Sequence, residues 1–145
     1  MYLKFSSFTE THGFSLSTIY RVVKERDPEC KIPVLICIRD VSNARFGAYL
    51  SEGPKLSDKA FGCGETFVFS LTDQQIYKWN GESKGIFIHC TQDDLSVGGA
   101  EGKFAIFLDS NLNQGRSQAC QTFKNLPLTP KEDFIASHVE LWTFR

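Results

Sequence analysis

Glycines set among aromatic residues punctuate this chain from Arg45 to Phe123, and no other feature restricts the fold as much. The blocks read Phe46-Gly47-Ala48, Gly62-Cys63-Gly64-Glu65-Thr66-Phe67 and Tyr77-Lys78-Trp79-Asn80-Gly81. They continue with Gly98-Gly99 before Phe104-Ala105-Ile106-Phe107-Leu108-Asp109, and with Gly115-Arg116-Ser117 before Cys120-Gln121-Thr122-Phe123. Short apolar runs cut by glycine turns specify many strands and few helices. The 13 phenylalanines suit a core built from sheets.

Leu3 to Phe8 alternates apolar and polar residues, as an opening strand does. Its abrupt start points to a short isoform or a fragment of a longer chain. Ser15 is placed to cap a helix from Leu16 to about Arg26, in which Leu16, Ile19, Tyr20 and Val23 fall on one stripe. Asp27-Pro28 ends that helix. Val34 to Ile38 is continuously apolar and reads as a strand covered on both faces, with Cys37 in the core. Asp40 to Asn43 forms a turn into a partner strand, Arg45 to Ser51, and Glu52 to Ala60 is an excursion.

Glu65 to Leu71 sets Phe67, Phe69 and Leu71 on one face against Thr66, Val68 and Ser70. Further strands are expected at Gln75–Trp79, Gly85–Cys90, Leu95–Val97 and Lys103–Asp109. Gln114 to Phe123 is polar and reads as loop, with a short pairing segment near Cys120. Lys131 to Phe134 opens a closing element, and His138 to Phe144 alternates as a final strand. No repeat or linker divides the chain, so residues 1–145 form one domain.

Sixteen basic and 17 acidic residues give a net charge of −1, with no field that would draw nucleic acid or an anionic membrane. No apolar stretch reaches the roughly 18 residues needed to span a bilayer, so membrane insertion is not expected. Met1 to Phe5 lacks the apolar core and cleavage site of a signal peptide. Five cysteines at wide, irregular spacing suit a reducing compartment.

Gly62-Cys63-Gly64 starts like a dinucleotide fingerprint, but Phe67 takes the third glycine's place and a strand follows where a helix is needed. Gly13-Phe14-Ser15-Leu16-Ser17 departs from a nucleophile elbow at its last residue. Asp109, Asn111 and Asn113 imitate a calcium loop whose glycine and glutamate positions hold Gln114 and Cys120. Asp93 and Asp94 point to opposite faces of a strand, as do His89 and Cys90. No Cys-x-x-Cys exists, and no metal ligand set or cofactor site is expected. Cys63 and Cys120 lie near turns, where oxidation can reach a thiol. Glu65 either projects into a groove or bonds the N–H groups of its own turn.

Taken in order, the blocks resemble the TLDc domain. The resemblance covers His12-Gly13, Ser15 to Arg21, Phe46-Gly47-Ala48, Ser57-Asp58, Gly62 to Phe67, Tyr77-Lys78-Trp79 and Gly98-Gly99. It extends through Phe104 to Asp109, Gly115-Arg116-Ser117, Cys120 to Asn125 and Glu140-Leu141-Trp142. The C-terminal stretch looks most like the oxidation-resistance and nuclear-coactivator branch. Cys63 stands where the family usually has threonine, and the helical sequence that commonly precedes the first strand is not present ahead of Leu3.

The resemblance implies a β-rich α+β fold, a two-sheet antiparallel β-sandwich flanked by a few helices. It also implies a non-enzymatic protein-interaction domain for oxidative-stress resistance, binding peripheral-sector subunits of the vacuolar proton-pumping ATPase and regulating its assembly or activity. The expected location is cytoplasmic, with nuclear and mitochondrial sites as alternatives. Partner-binding residues on that reading are Gly62, Gly64, Glu65, Gly98, Gly99, Arg116 and Ser117, on loops where glycine lets a partner approach closely. A competing reading is a thiol-dependent antioxidant enzyme or scavenger using Cys120 or Cys63, with Arg116 as the supporting cation. A third reading is a transcription-linked coactivator partner.

Overall fold

The computed structural model describes residues 2–6, 15–83 and 85–143. The expected strand residues 7, 8 and 144, and the His12-Gly13 block, lie outside them. Ten strands and one α-helix occur among the described residues: β1 (Tyr2–Ser6), α1 (Leu16–Arg26), β2 (Val34–Asp40), β3 (Arg45–Leu50), β4 (Phe67–Ser70), β5 (Gln75–Lys78), β6 (Ile88–Cys90), β7 (Asp94–Val97), β8 (Ile106–Asp109), β9 (Gln114–Arg116) and β10 (Asp133–Thr143). A 3₁₀ turn, Ala100–Gly102, separates β7 from β8.

Helix α1 starts where the capping serine dictates. Ser15 is extended (φ −149°), and its hydroxyl accepts the Ser17 N–H at 3.2 Å. Leu16, Ile19 and Val23 are buried, and the Tyr20 hydroxyl donates to Thr91 O at 2.8 Å, tying the helix to the turn before β7.

All strand pairs are antiparallel and form one hydrogen-bonded path, β5-β4-β3-β2-β10-β9-β8-β7-β6, with β1 added on β10. Among the described residues the β-rich fold is thus one continuous antiparallel pairing path with one α-helix. The reason lies in β10, which is long enough to serve two ladders. Asp133–Ile135 pair with β9, and Ala136–Thr143 pair with β2 after a register shift between Ala136 and His138. At that shift the Ser137 hydroxyl donates to Arg39 O at 3.1 Å. Both halves of the path send residues into one core, including Ile36, Phe46 and Val68 from one half and Ile88, Leu95, Ile106 and Leu108 from the other.

Burial corrects one expectation and assigns the inward face of another strand. In β2, Val34, Ile36, Ile38 and Asp40 are buried while Leu35, Cys37 and Arg39 are half-buried, so only one face enters the core and Cys37 is not in it. In β4 the inward face is Thr66, Val68 and Ser70, whereas Leu71 is 59% exposed. Phe69 instead lies over Gly47, and Phe67 stacks on Tyr49 with ring centroids 5.2 Å apart. Aromatic alternation reveals the period of a strand but not which side its neighbours cover.

Candidate functional site

The turn from Gly62 to Thr66 is held by side chains at the end of β3. The Ser51 hydroxyl accepts the Cys63 N–H at 2.9 Å and the Thr66 hydroxyl at 3.0 Å, and Thr66 N–H donates to Cys63 O. Glu52 Oε2 accepts the Gly62 N–H at 3.1 Å, while its Oε1 pairs with Lys55 at 3.2 Å. Glu52 thus bonds the turn, and Glu65 is exposed beside it. Gly62 adopts φ +88°, which glycine tolerates without strain. A Cβ at Gly64 would sit 2.3 Å from the Trp79 ring.

That ring leads to the second loop. Trp79 meets Phe87 edge-on at 5.3 Å between centroids, and Phe87 meets Phe123 at 6.3 Å. Gly98 donates its N–H to Phe87 O at 2.7 Å, and a Cβ on it would lie 2.9 Å from the Cys120 sulfur. Gly99 packs close to Ile86 and Phe104. Gly64 and Gly98 therefore border one aromatic cluster, whereas Gly62 packs against Ile88 and Ser51.

Gly115, Arg116 and Ser117 divide by role. Gly115 lies under Phe134, where a Cβ would come within 2.3 Å of the ring. Ser117 is fully buried; its hydroxyl donates to Ala105 O at 2.7 Å and accepts the Leu128 N–H at 2.8 Å. Arg116 points the other way, into an open groove of about 880 Å³ across β8, β9 and the start of β10. Phe107, Arg116 and Asp133 form one cross-strand row there, with Arg116 Nε 2.9 Å from Asp133 Oδ1. Phe104 tilts against Phe107 at 5.6 Å, and Val41 and Ile135 form an apolar rim, 67% and 48% exposed. Sequence reasoning found Arg116 but missed the groove. Its apolar members come from three separate segments, and no local pattern joins them.

A family model described as the TLDc domain matches residues 1–145. The chain belongs to the TLDc family. It is 44% identical over 137 residues to Oxidation resistance protein 1 of Xenopus tropicalis, covering 94% of this chain and 15% of that protein. The human protein of the same name is 43% identical over the same shares. Nuclear receptor coactivator 7 of Gallus gallus is 42% identical, again over 94% of this chain and 15% of the relative. This TLDc chain thus spans about 15% of the length of these curated relatives.

The thiols of this TLDc domain differ sharply in access. Cys63 is exposed on its turn, whereas Cys120, also near a turn in the sequence, is 2% exposed beneath Gly98. Its neighbours in sequence are polar, but the bridge pairing Cys120 with Asn125 folds that segment over it. Burial pushes the Cys90 thiol up to about 12, and burial with the nearby Glu140 pushes Cys37 up to about 11. Burial also raises the Tyr20 hydroxyl, which faces Cys90. No group of three or more metal-ligating side chains forms among the described residues.

Native labelling with an aromatic disulfide reagent at mildly alkaline pH should therefore show one fast thiol, Cys63, identified by peptide mass. Cys90 and Cys120 should react only on unfolding. Fast labelling of Cys120 in the folded chain would contradict this order.

Proposed function

We propose that this TLDc chain is a non-enzymatic protein-interaction domain that contributes to resistance against oxidative damage. It acts by engaging peripheral-sector subunits of the vacuolar proton-pumping ATPase and regulating its assembly or activity. The observation that carries this reading is the use made of the loop polar groups. The side chains of Ser51, Glu52, Thr66 and Ser117 are bound to backbone groups of the chain itself. Such groups shape a rigid surface. What remains outward is Glu65, Arg116 and the apolar rim of the groove, the residue classes that contact partners. Similarity to proteins named for oxidation resistance supports the stress role.

We read the two halves of the strand path as facing layers of a sandwich, since one core cluster joins them. The working location is cytoplasmic, with nuclear and mitochondrial sites as alternatives. Exposure of Cys63 favours a second reading, a sacrificial scavenging thiol.

The test is affinity capture from cell lysate with the tagged chain. ATPase peripheral-sector subunits should be recovered with the wild-type chain and reduced with Arg116→Ala. Recovery of none, under conditions where a related TLDc domain retains them, overturns the ATPase reading. Peroxide consumption unchanged in Cys63→Ser and Cys120→Ser removes the thiol reading.

A further inference from the structure

The two ends of the strand path are finished differently. At β6 the segment after β3 covers the edge: Ser57 N–H donates to Cys90 O at 3.1 Å, and Phe61 and Ile88 exchange N–H···O bonds at 2.8 and 3.1 Å. At β5 no backbone bond beyond β4 is made among the described residues. Exposed main-chain groups on an edge strand are a template for another strand.

The open groups can be assigned. Leu71 donates its N–H to Arg45 O on β3, and main-chain groups alternate sides along a strand. Phe67 and Phe69 therefore face β3, while Val68 and Ser70 face β5. Their partners Tyr77 and Gln75 use their groups on β4, so Ile76 and Lys78 turn theirs outward.

Side chains add chemistry to this edge. The apolar outer face runs Tyr49, Phe67 and Phe69 across β3 and β4 and stops at Ile76, which is 63% exposed. Lys78, on the same face, is exposed and pairs with no described carboxylate.

We propose that the outer edge of β5 is a docking site for an extended segment of a partner polypeptide. The segment adds antiparallel along Ile76 to Lys78, with an apolar residue against Ile76 and an acidic residue against Lys78. Backbone hydrogen bonds hold it, and the two side chains set its register. The inference stands independently of the ATPase reading, because it needs only the open edge.

The test titrates the ¹⁵N-labelled chain with the capped peptide Thr-Glu-Thr-Val-Thr, in which Glu falls opposite Lys78 and Val opposite Ile76. Saturable amide shifts should centre on Ile76 and Lys78. N-methylation of the peptide's Glu and Val should weaken binding by about tenfold or more, since it removes the donors aimed at β5. The Thr-Lys-Thr-Val-Thr peptide should bind more weakly, and Ile76→Pro should abolish the shifts while the remaining spectrum stays dispersed. Equal binding of the N-methylated peptide, shifts centred elsewhere, or no saturable shift at millimolar peptide would overturn the proposal. Concentration-dependent shifts at the same amides without peptide would also overturn it, assigning the edge to a second copy of this chain.

Discussion

Gly47→Ala is expected to lower unfolding stability by about 3 kcal/mol. Gly47 sits on β3 between β2 and β4, paired with Cys37 and Phe69. A Cβ there would lie 2.0 Å from Ile36 O and 2.8 Å from the Phe69 ring. The ring can swing away, but the carbonyl belongs to the backbone of β2. Relief requires separating two ladder strands at the centre of the sheet. The urea midpoint should fall with an unchanged slope, and Tm should drop by about 10 °C. A loss below about 1 kcal/mol would mean that β2 and β3 shift apart easily. Phe69→Ala in the same chain should recover little, since it removes only one of the two obstacles.

The second large effect separates two neighbours. Ser117→Ala should cost about 2 kcal/mol, because it strands the Ala105 carbonyl and the Leu128 N–H inside the protein. Arg116→Ala should change stability by less than about 0.5 kcal/mol, since its pair with Asp133 is largely exposed. Partner capture should show the reverse order when both variants are assayed well below their melting temperatures. Equal stability losses would place Arg116 in the scaffold and remove it from the candidate surface. The two residues entered the sequence reading together as partner contacts. Only Arg116 faces outward, and Ser117 holds the strand that presents it.

The same division runs through the rest of the molecule. Helix α1 was legible, because a serine cap, a four-residue stripe and Asp27-Pro28 are all local signals. The β2–β3 hairpin was legible for a similar reason, an apolar run followed by a turn and a second run. Strand β9 was not, since Gln114-Gly115-Arg116 carries no alternation and becomes a strand only because β8 and β10 flank it. Lys131 to Phe134 and His138 to Phe144 read as two elements, yet β10 runs unbroken from Asp133 to Thr143. Its polar residues Ser137 and His138 interrupt the apolar pattern at the point where the strand changes partners.

The sequence by itself determined the family, the helix and most of the strands, because ordered motifs, caps and periodicity are properties of neighbouring residues. The tertiary structure decided which strand face is inward, how β10 joins the two ladders, and which of Cys63 and Cys120 meets solvent. It also decided that Arg116 opens onto a groove while Ser117 closes a buried network, and that β5 makes no backbone pairing beyond β4 among the described residues. Those outcomes depend on burial and pairing between segments far apart in the chain, such as Gly98 over Cys120 and β10 beside β2. No local pattern encodes which distant residue will be the neighbour.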